Sequence, residues 1–260
     1  VSDDLWFGEG FTAYYDGLIL ERAGLMTTEA LVGDFAGIIN TVRFSPGRQI
    51  RSAVEMSRLA PFVDAAASID RTAWPNLFIS YYTYGSAIAM ALDLSLRDRT
   101  DGKLTLDDYM RALWRKFGRS SNQTPGFAPS AYTIRDLQDT LAEVSGDATF
   151  AEEYFKRYVE GRDLVDYARL MARAGMLVRQ HRAGRAWLGN AQFQVGAGGA
   201  RVASLVLFGS PLYKAGIAQD DYVVGLDGGD IVREGQIEEV LSRHEPGDRV
   251  AIRFVRRGGE

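Results

Sequence analysis

The chain has 260 residues, 46% of them hydrophobic and 25% charged, which is the composition of an ordinary globular protein with room for one large domain or two smaller ones. A net charge of -4 provides no basic surface excess and argues against a nucleic-acid partner. The absence of cysteine excludes a disulfide framework and any thiolate metal site, and leaves cytosol and periplasm both open as compartments.

Taken in order, the first segment of note is LWFGEGFTAYY, Leu5 to Tyr15, in which aromatic residues at helical spacing surround the carboxylate Glu9. The spacing predicts a helix from near Glu9 to a stop at Gly24. Glu9 then has two readings. It is either a charge suited to a helix start or a metal ligand, since a cation makes burial of an ionised carboxylate tolerable. Thr28 and Glu29 open a second predicted helix that fades at Ser45, Pro46 and Gly47. Arg48 and Arg51 follow in a predicted loop, either solvated or lining a substrate cleft. Ser57 to Asn76 lacks periodicity and is expected to be a long irregular connection, of a kind that often borders an active site.

The run Ile79 to Leu96 is apolar over most of a helical circumference and is predicted to lie deep in the fold. Its most apolar part, near Ile79 to Leu92, is interrupted by Gly85 and followed at once by Asp93, Arg97, Asp98 and Arg99, which makes it too short and too charged at its end to span a membrane. Asp93 and Arg97 are spaced for a helix-surface ion pair. Thr105 with Asp108 resembles a capping box opening a helix whose stripe is Leu106, Tyr109, Met110, Leu113, Trp114 and Phe117. Gly118 to Tyr132 reads as an exposed loop. Thr133 caps a helix ending at Gly146, and two shorter helices follow, around Phe150 to Val159 and Leu164 to Ala174, with Tyr154, Phe155 and Tyr158 as core.

Near Met176 the hydrophobic period changes from about 3.6 to 2, marking a boundary between domains at 1–177 and 178–260. Trp187 to Val195 and Arg201 to Phe208 read as strands about the turn Gly196 to Gly199. A helical turn at Ser210 to Gly216, a strand at Tyr222 to Leu226, a tight turn at Asp227 to Asp230, a helix near Gln236 to Arg243 and a strand near Arg249 to Val255 complete the unit.

The string LWFGEGFTAYYDGLILERAGLM resembles the segment that follows the HExxH helix in family M61 metallopeptidases, the glycyl aminopeptidase group of gluzincins. The likeness continues through SPGRQIRS, ISYYTYGSAIAMALDLSLRDRT and LTLDDYMRALWRKFG. It implies an α+β multidomain protein: a mostly helical C-terminal lobe of a thermolysin-like catalytic domain, then a small PDZ-like domain. It also implies that Glu9 is the third zinc ligand and that Tyr82, in Tyr82-Thr83-Tyr84-Gly85, matches the oxyanion-binding Tyr of a YxKG motif, with Tyr84 in place of the motif's Lys. A phenol suits that task because it donates a hydrogen bond while staying neutral at pH 7.

GSPLYKAGIAQDDYVVGLDG, Gly209 to Gly228, is similar to permuted bacterial PDZ domains, with Asp220 in place of the usual Gly of their GD motif. By that likeness Trp187, Leu188, Gly189 and Asn190 form the loop that takes a peptide carboxylate, and the peptide would lie along Asn190 to Val195 beside the Gln236 helix. No HExxH is present, and His181 and His244 have no partner His four residues on. The expectation is therefore the C-terminal portion of a longer zinc aminopeptidase that cleaves peptides. The zinc belongs to the parent, and this chain alone is expected to hold none and to be inactive. The alternative is a non-catalytic peptide-binding protein that uses its PDZ-like domain.

Overall fold

The computed structural model describes residues 2–63, 76–118 and 131–258. The chain divides into two units, Val1–Ala66 with Phe78–Arg179, and Ala67–Leu77 with Gln180–Glu260. The expected division at 177/178 is continuous in sequence. The observed second unit also takes in an earlier piece, to which Asn76 belongs.

The first unit is helical: α1 (Leu5–Arg22), α2 (Thr28–Phe44), α3 (Gly47–Ile50), α4 (Ala53–Arg58), α5 (Ala60–Val63), α6 (Tyr81–Thr100), α7 (Leu106–Leu113), α8 (Ile134–Ser145), α9 (Ala148–Tyr154) and α10 (Tyr167–Arg173). Single π-helical turns extend α7 over Trp114–Gly118 and α9 over Phe155–Val159. The central element is α6, buried almost all round from Tyr84 to Leu94, with α1 as its most extensive partner and α2, α7 and α10 also against it. Two tyrosines from later helices end on its backbone, Tyr154 donating to the Ile88 carbonyl at 2.7 Å and Tyr167 to that of Ala87 at 3.1 Å.

Helix starts follow local chemistry. Thr27 accepts the Ala30 amide, and Ser52 with Glu55 and Thr133 with Asp136 form reciprocal capping boxes. Asp108 accepts both the amide and the hydroxyl of Thr105, and that backbone bond holds its carboxyl below the usual range.

Several expectations need correction. α1 begins at Leu5, so Glu9 sits in its second turn rather than at its start. Within Ser57 to Asn76 the described part is largely helical, as the end of α4 and all of α5, and 64–75 lie outside the described residues. Most of the Gly118 to Tyr132 loop is likewise outside them. Asp93 is 4% exposed, so its ion pair with Arg97 is not a surface pair. Its carboxylate also accepts the Tyr14 hydroxyl at 3.0 Å and the Leu106 amide at 2.7 Å, joining α1, α6 and the first residue of α7. Trp114 leaves the apolar stripe and is 62% exposed, because the helix changes to π geometry there and its ring folds against Gly118.

The second unit is a small antiparallel sheet, β1 (Phe193–Gly196), β2 (Gly199–Val202), β3 (Tyr222–Leu226), β4 (Gly229–Asp230) and β5 (Ile252–Val255), with helices α11 (Pro211–Lys214) and α12 (Gln236–Leu241). The order is β1-β2-β3-β4, with β5 also on β3. Its core includes Ala200, Val202, Leu212, Val223, Leu226 and Ile237. Asp227 and Gly228 both take positive φ in the β3–β4 turn, as a two-residue hairpin loop requires.

Candidate active site and peptide groove

Glu9 and Tyr82 are set by the way α1 and α6 cross. The two backbones touch: a Cβ on Gly10 would fall 2.3 Å from the Gly85 Cα, and one on Gly85 would fall 1.8 Å from the Trp6 carbonyl oxygen. Only glycine at both positions permits that approach. Glu9 is the residue before Gly10, and Tyr82 lies one helical turn before Gly85, so the contact sets the turn carrying each against the other helix. Around the crossing, Trp6 meets Phe7, Phe11 and Phe155 edge-on at 5.8, 5.8 and 6.2 Å between ring centroids. The role of Gly10 was not read from the sequence, although the small residues flanking Glu9 were its signal.

Glu9 is half-buried. In the second turn of α1 it is past the reach of the positive end of the helix dipole, which weakens the helix-start reading of this carboxylate. At the start of α6, Ser80 caps by accepting the Tyr82 amide. The three tyrosines that follow differ sharply. Tyr81 is 3% exposed, Tyr84 is 2% exposed, and Tyr82 is 44% exposed and stacked on Tyr81 at 5.2 Å. Burial pushes the Tyr84 phenol up to about 12, partly offset by the Arg48 guanidinium, and its hydroxyl has no hydrogen-bond partner among the described residues. Of these phenols, Tyr82 alone presents its ring to solvent.

Arg48 does not behave as a cleft residue. Its side chain donates to the Val42 and Arg162 carbonyls and closes the end of α2. Among the described residues no three His, Cys, Asp or Glu side chains are grouped closely enough to hold a metal ion. His244 is engaged elsewhere, against Asp227 at 3.0 Å and Asp248 at 3.5 Å, and His181 is exposed. The residues present therefore do not make a metal site by themselves; Glu9 is at most one ligand of one.

In the second unit, Trp187 is 51% exposed, Leu188 packs on the core, and Asn190 is exposed. Gly189 has φ +129 with its Cα against Ser210, and the Leu188 carbonyl accepts the Leu212 amide at 3.1 Å, so the loop rests on α11. Among the described residues the amides of Leu188, Gly189 and Asn190 make no hydrogen bond. β1 pairs with β2 on one side only, and its other edge is unpaired among the described strands. An open edge beside a loop of free amides has the components needed to take an extended peptide and its terminal carboxylate.

Comparison with known proteins agrees with this division. Residues 1–88 match the M61 glycyl aminopeptidase family, and residues 179–260 match the PDZ domain family. The chain is thus similar to an M61 peptidase region over its first third and to a PDZ domain over its last third. A crystal structure of an aminopeptidase N family protein from Idiomarina loihiensis is similar over 99% of this chain, at 25% identity and a TM-score of 0.75. The match spans 44% of that longer protein. No curated protein matches the chain. Of the expected strands Trp187 to Val195 and Arg201 to Phe208, only Phe193–Gly196 and Gly199–Val202 are paired as strand, while Asp220, at the position where the motif usually has Gly, adopts the left-handed conformation with φ 72. Its carboxylate receives Arg201 at 2.6 Å, and its amide donates to the Val202 carbonyl.

Proposed function

We propose that this chain is the C-terminal portion of a zinc-dependent aminopeptidase in which Glu9 is the carboxylate ligand and Tyr82 the oxyanion donor. The two His ligands and the general base would come from an HExxH helix outside these residues, so the chain alone is inactive. What supports this reading is the Gly10–Gly85 contact, which brings together the two helices that carry Glu9 and Tyr82. Bound zinc supplies Lewis acidity and a water of lowered pKa. Tyr82 contributes a neutral donor on a rigid helix, capped by Ser80, toward an oxygen that gains charge in the transition state. Family likeness suggests a small N-terminal residue such as glycine in the substrate.

The PDZ domain serves as a peptide-binding module through Trp187, Leu188, Gly189 and Asn190, supported by the free amides of that loop and the open edge of β1. The same observation sustains the second reading, a peptide-binding protein without catalysis. The two separate in one experiment. The chain is expressed together with its upstream sequence and assayed on glycyl peptides with and without a chelator, as wild type, Glu9→Ala and Tyr82→Phe. Loss of activity in Glu9→Ala and on chelation is expected, and activity surviving both sinks the zinc assignment.

A further inference from the structure

The outer face of the sheet in the second unit carries a row of linked side chains. Gln194 on β1 lies directly opposite Arg201 on β2. The Arg201 guanidinium donates to Oε1 of Gln194 and, at 2.6 Å, to one carboxylate oxygen of Asp220, whose other oxygen is 3.5 Å from Arg257. One carboxylate thus serves two guanidinium groups, and the row keeps a net positive charge. A guanidinium has donors only, so it fixes the Gln194 amide with the oxygen toward Arg201 and leaves Nε2 as the free end. Among the described residues Nε2 makes no hydrogen bond.

The backbone places this donor beside the open edge of β1. The Gln192 carbonyl accepts the Ala203 amide at 2.8 Å, so Gln192 turns its backbone toward β2, and by alternation Gln194 does the same. Phe193 and Val195 therefore turn theirs toward the open edge, while their side chains are half-buried against the core. Gln192 and Gln194 expose their side chains on the other face. An antiparallel peptide with its carboxylate at Trp187 to Asn190 would bond the backbones of Phe193 and Val195 and face Gln194 in a non-hydrogen-bonded pair. In such pairs the Cα atoms are about 4.5 Å apart and the side chains are closest. The peptide side chain there, about four residues before the last, meets an amide donor with a guanidinium behind it.

We propose that Gln194, oriented by Arg201, is a specificity-determining residue of the groove, and that its ligand class is a C-terminal peptide with an acidic residue opposite Gln194. The inference rests on the peptide-binding reading of the PDZ domain above. A carboxylate there accepts from Nε2 and is attracted by the net positive charge, whereas lysine or arginine sets donor against donor. An exposed interaction of this kind changes affinity by about 2- to 5-fold. In the test the whole chain is immobilised, a pool of decapeptides with free carboxylates and every position randomised is passed over it, and retained peptides are sequenced. Acidic residues should be enriched over basic ones by about 2- to 5-fold at that position relative to the others, and less so in about 0.5 M salt, which screens exposed charges. Gln194→Glu keeps an acceptor for Arg201, replaces the free donor by an oxygen and cancels the net charge of the row, so the enrichment should vanish. Retained peptides without acidic enrichment there, or with an enrichment that Gln194→Glu leaves unchanged, would overturn the proposal and leave the groove standing. If no peptide is retained above a blank surface, the peptide-binding reading itself fails and this inference falls with it.

Discussion

The α1–α6 crossing makes the sharpest prediction, through Gly85→Ala. The added methyl would sit 1.8 Å from the Trp6 carbonyl oxygen and 2.8 Å from the Gly10 Cα, both backbone atoms that cannot rotate away. An ordinary contact of at least about 3.4 Å requires the helices to part by roughly 1.5 Å, against packing that is dense and poorly compressible. Overpacking of this kind costs about 1–3 kcal/mol and occasionally more. The shift also loosens Trp6 and Phe11, which are 1% and 2% exposed, while alanine's better helix propensity returns about 1 kcal/mol. A net loss of up to about 2 kcal/mol is expected, about 1–3 kcal/mol relative to an unhindered Gly→Ala change, which lowers Tm by up to roughly 8 °C for a domain of this size. Thermal and urea unfolding followed by far-UV circular dichroism measure it. Gly33→Ala and Gly37→Ala in α2 are the controls, because a Cβ there meets nothing within 4 Å and should be neutral or stabilising. A Gly85→Ala protein as stable as these controls would refute the close backbone contact of α1 and α6.

Asp93→Asn should destabilise by about 2 kcal/mol, because a buried charge-assisted network loses its acceptor character toward Tyr14, Arg97 and the Leu106 amide; Tyr14→Phe should cost less, and a double-mutant cycle in urea should show the two coupled. At Asp220, the glycine variant should exceed the alanine variant in Tm by the equivalent of about 1 kcal/mol, since both lose the Arg201 pair and only alanine keeps the left-handed strain. Asp98, held low chiefly by its hydrogen bond from Arg169, contributes stability that is present above the unfolded carboxyl range and lost as pH falls through its folded value. An Arg169→Met protein should therefore show a shallower fall in Tm on acidification. Asp4 has the opposite sign: burial and then Asp3 raise its carboxyl, so its ionised form opposes folding as pH rises, and Asp4→Asn should raise Tm at pH 7 more than at pH 3.

What the sequence determined by itself is the local grammar. Caps at Thr105 and Thr133, left-handed stops at Gly24 and Gly146, the strand Tyr222–Leu226 and the turn after it depend on residues within a few positions of one another, and all are in the structure. The aromatic and small residues around Glu9 and the Tyr82-Thr83-Tyr84-Gly85 string were visible for the same reason. Tertiary structure decided what those residues meet. Nothing within α6 says that Asp93 is buried, because its partners Tyr14 and Leu106 come from other helices. Trp114 satisfied the helical period and still faced out, because a π turn interrupts that period. Gly85 looked like a flaw in an apolar helix until Gly10 and Trp6 were found against it, and Asn76 looked like a loop residue until its amide was found on Val206 and Phe208. Local hydrogen bonding and periodicity are written along the chain. Close approach of two backbones, and the pairing of a buried amide across 130 residues, exist only once distant segments are packed.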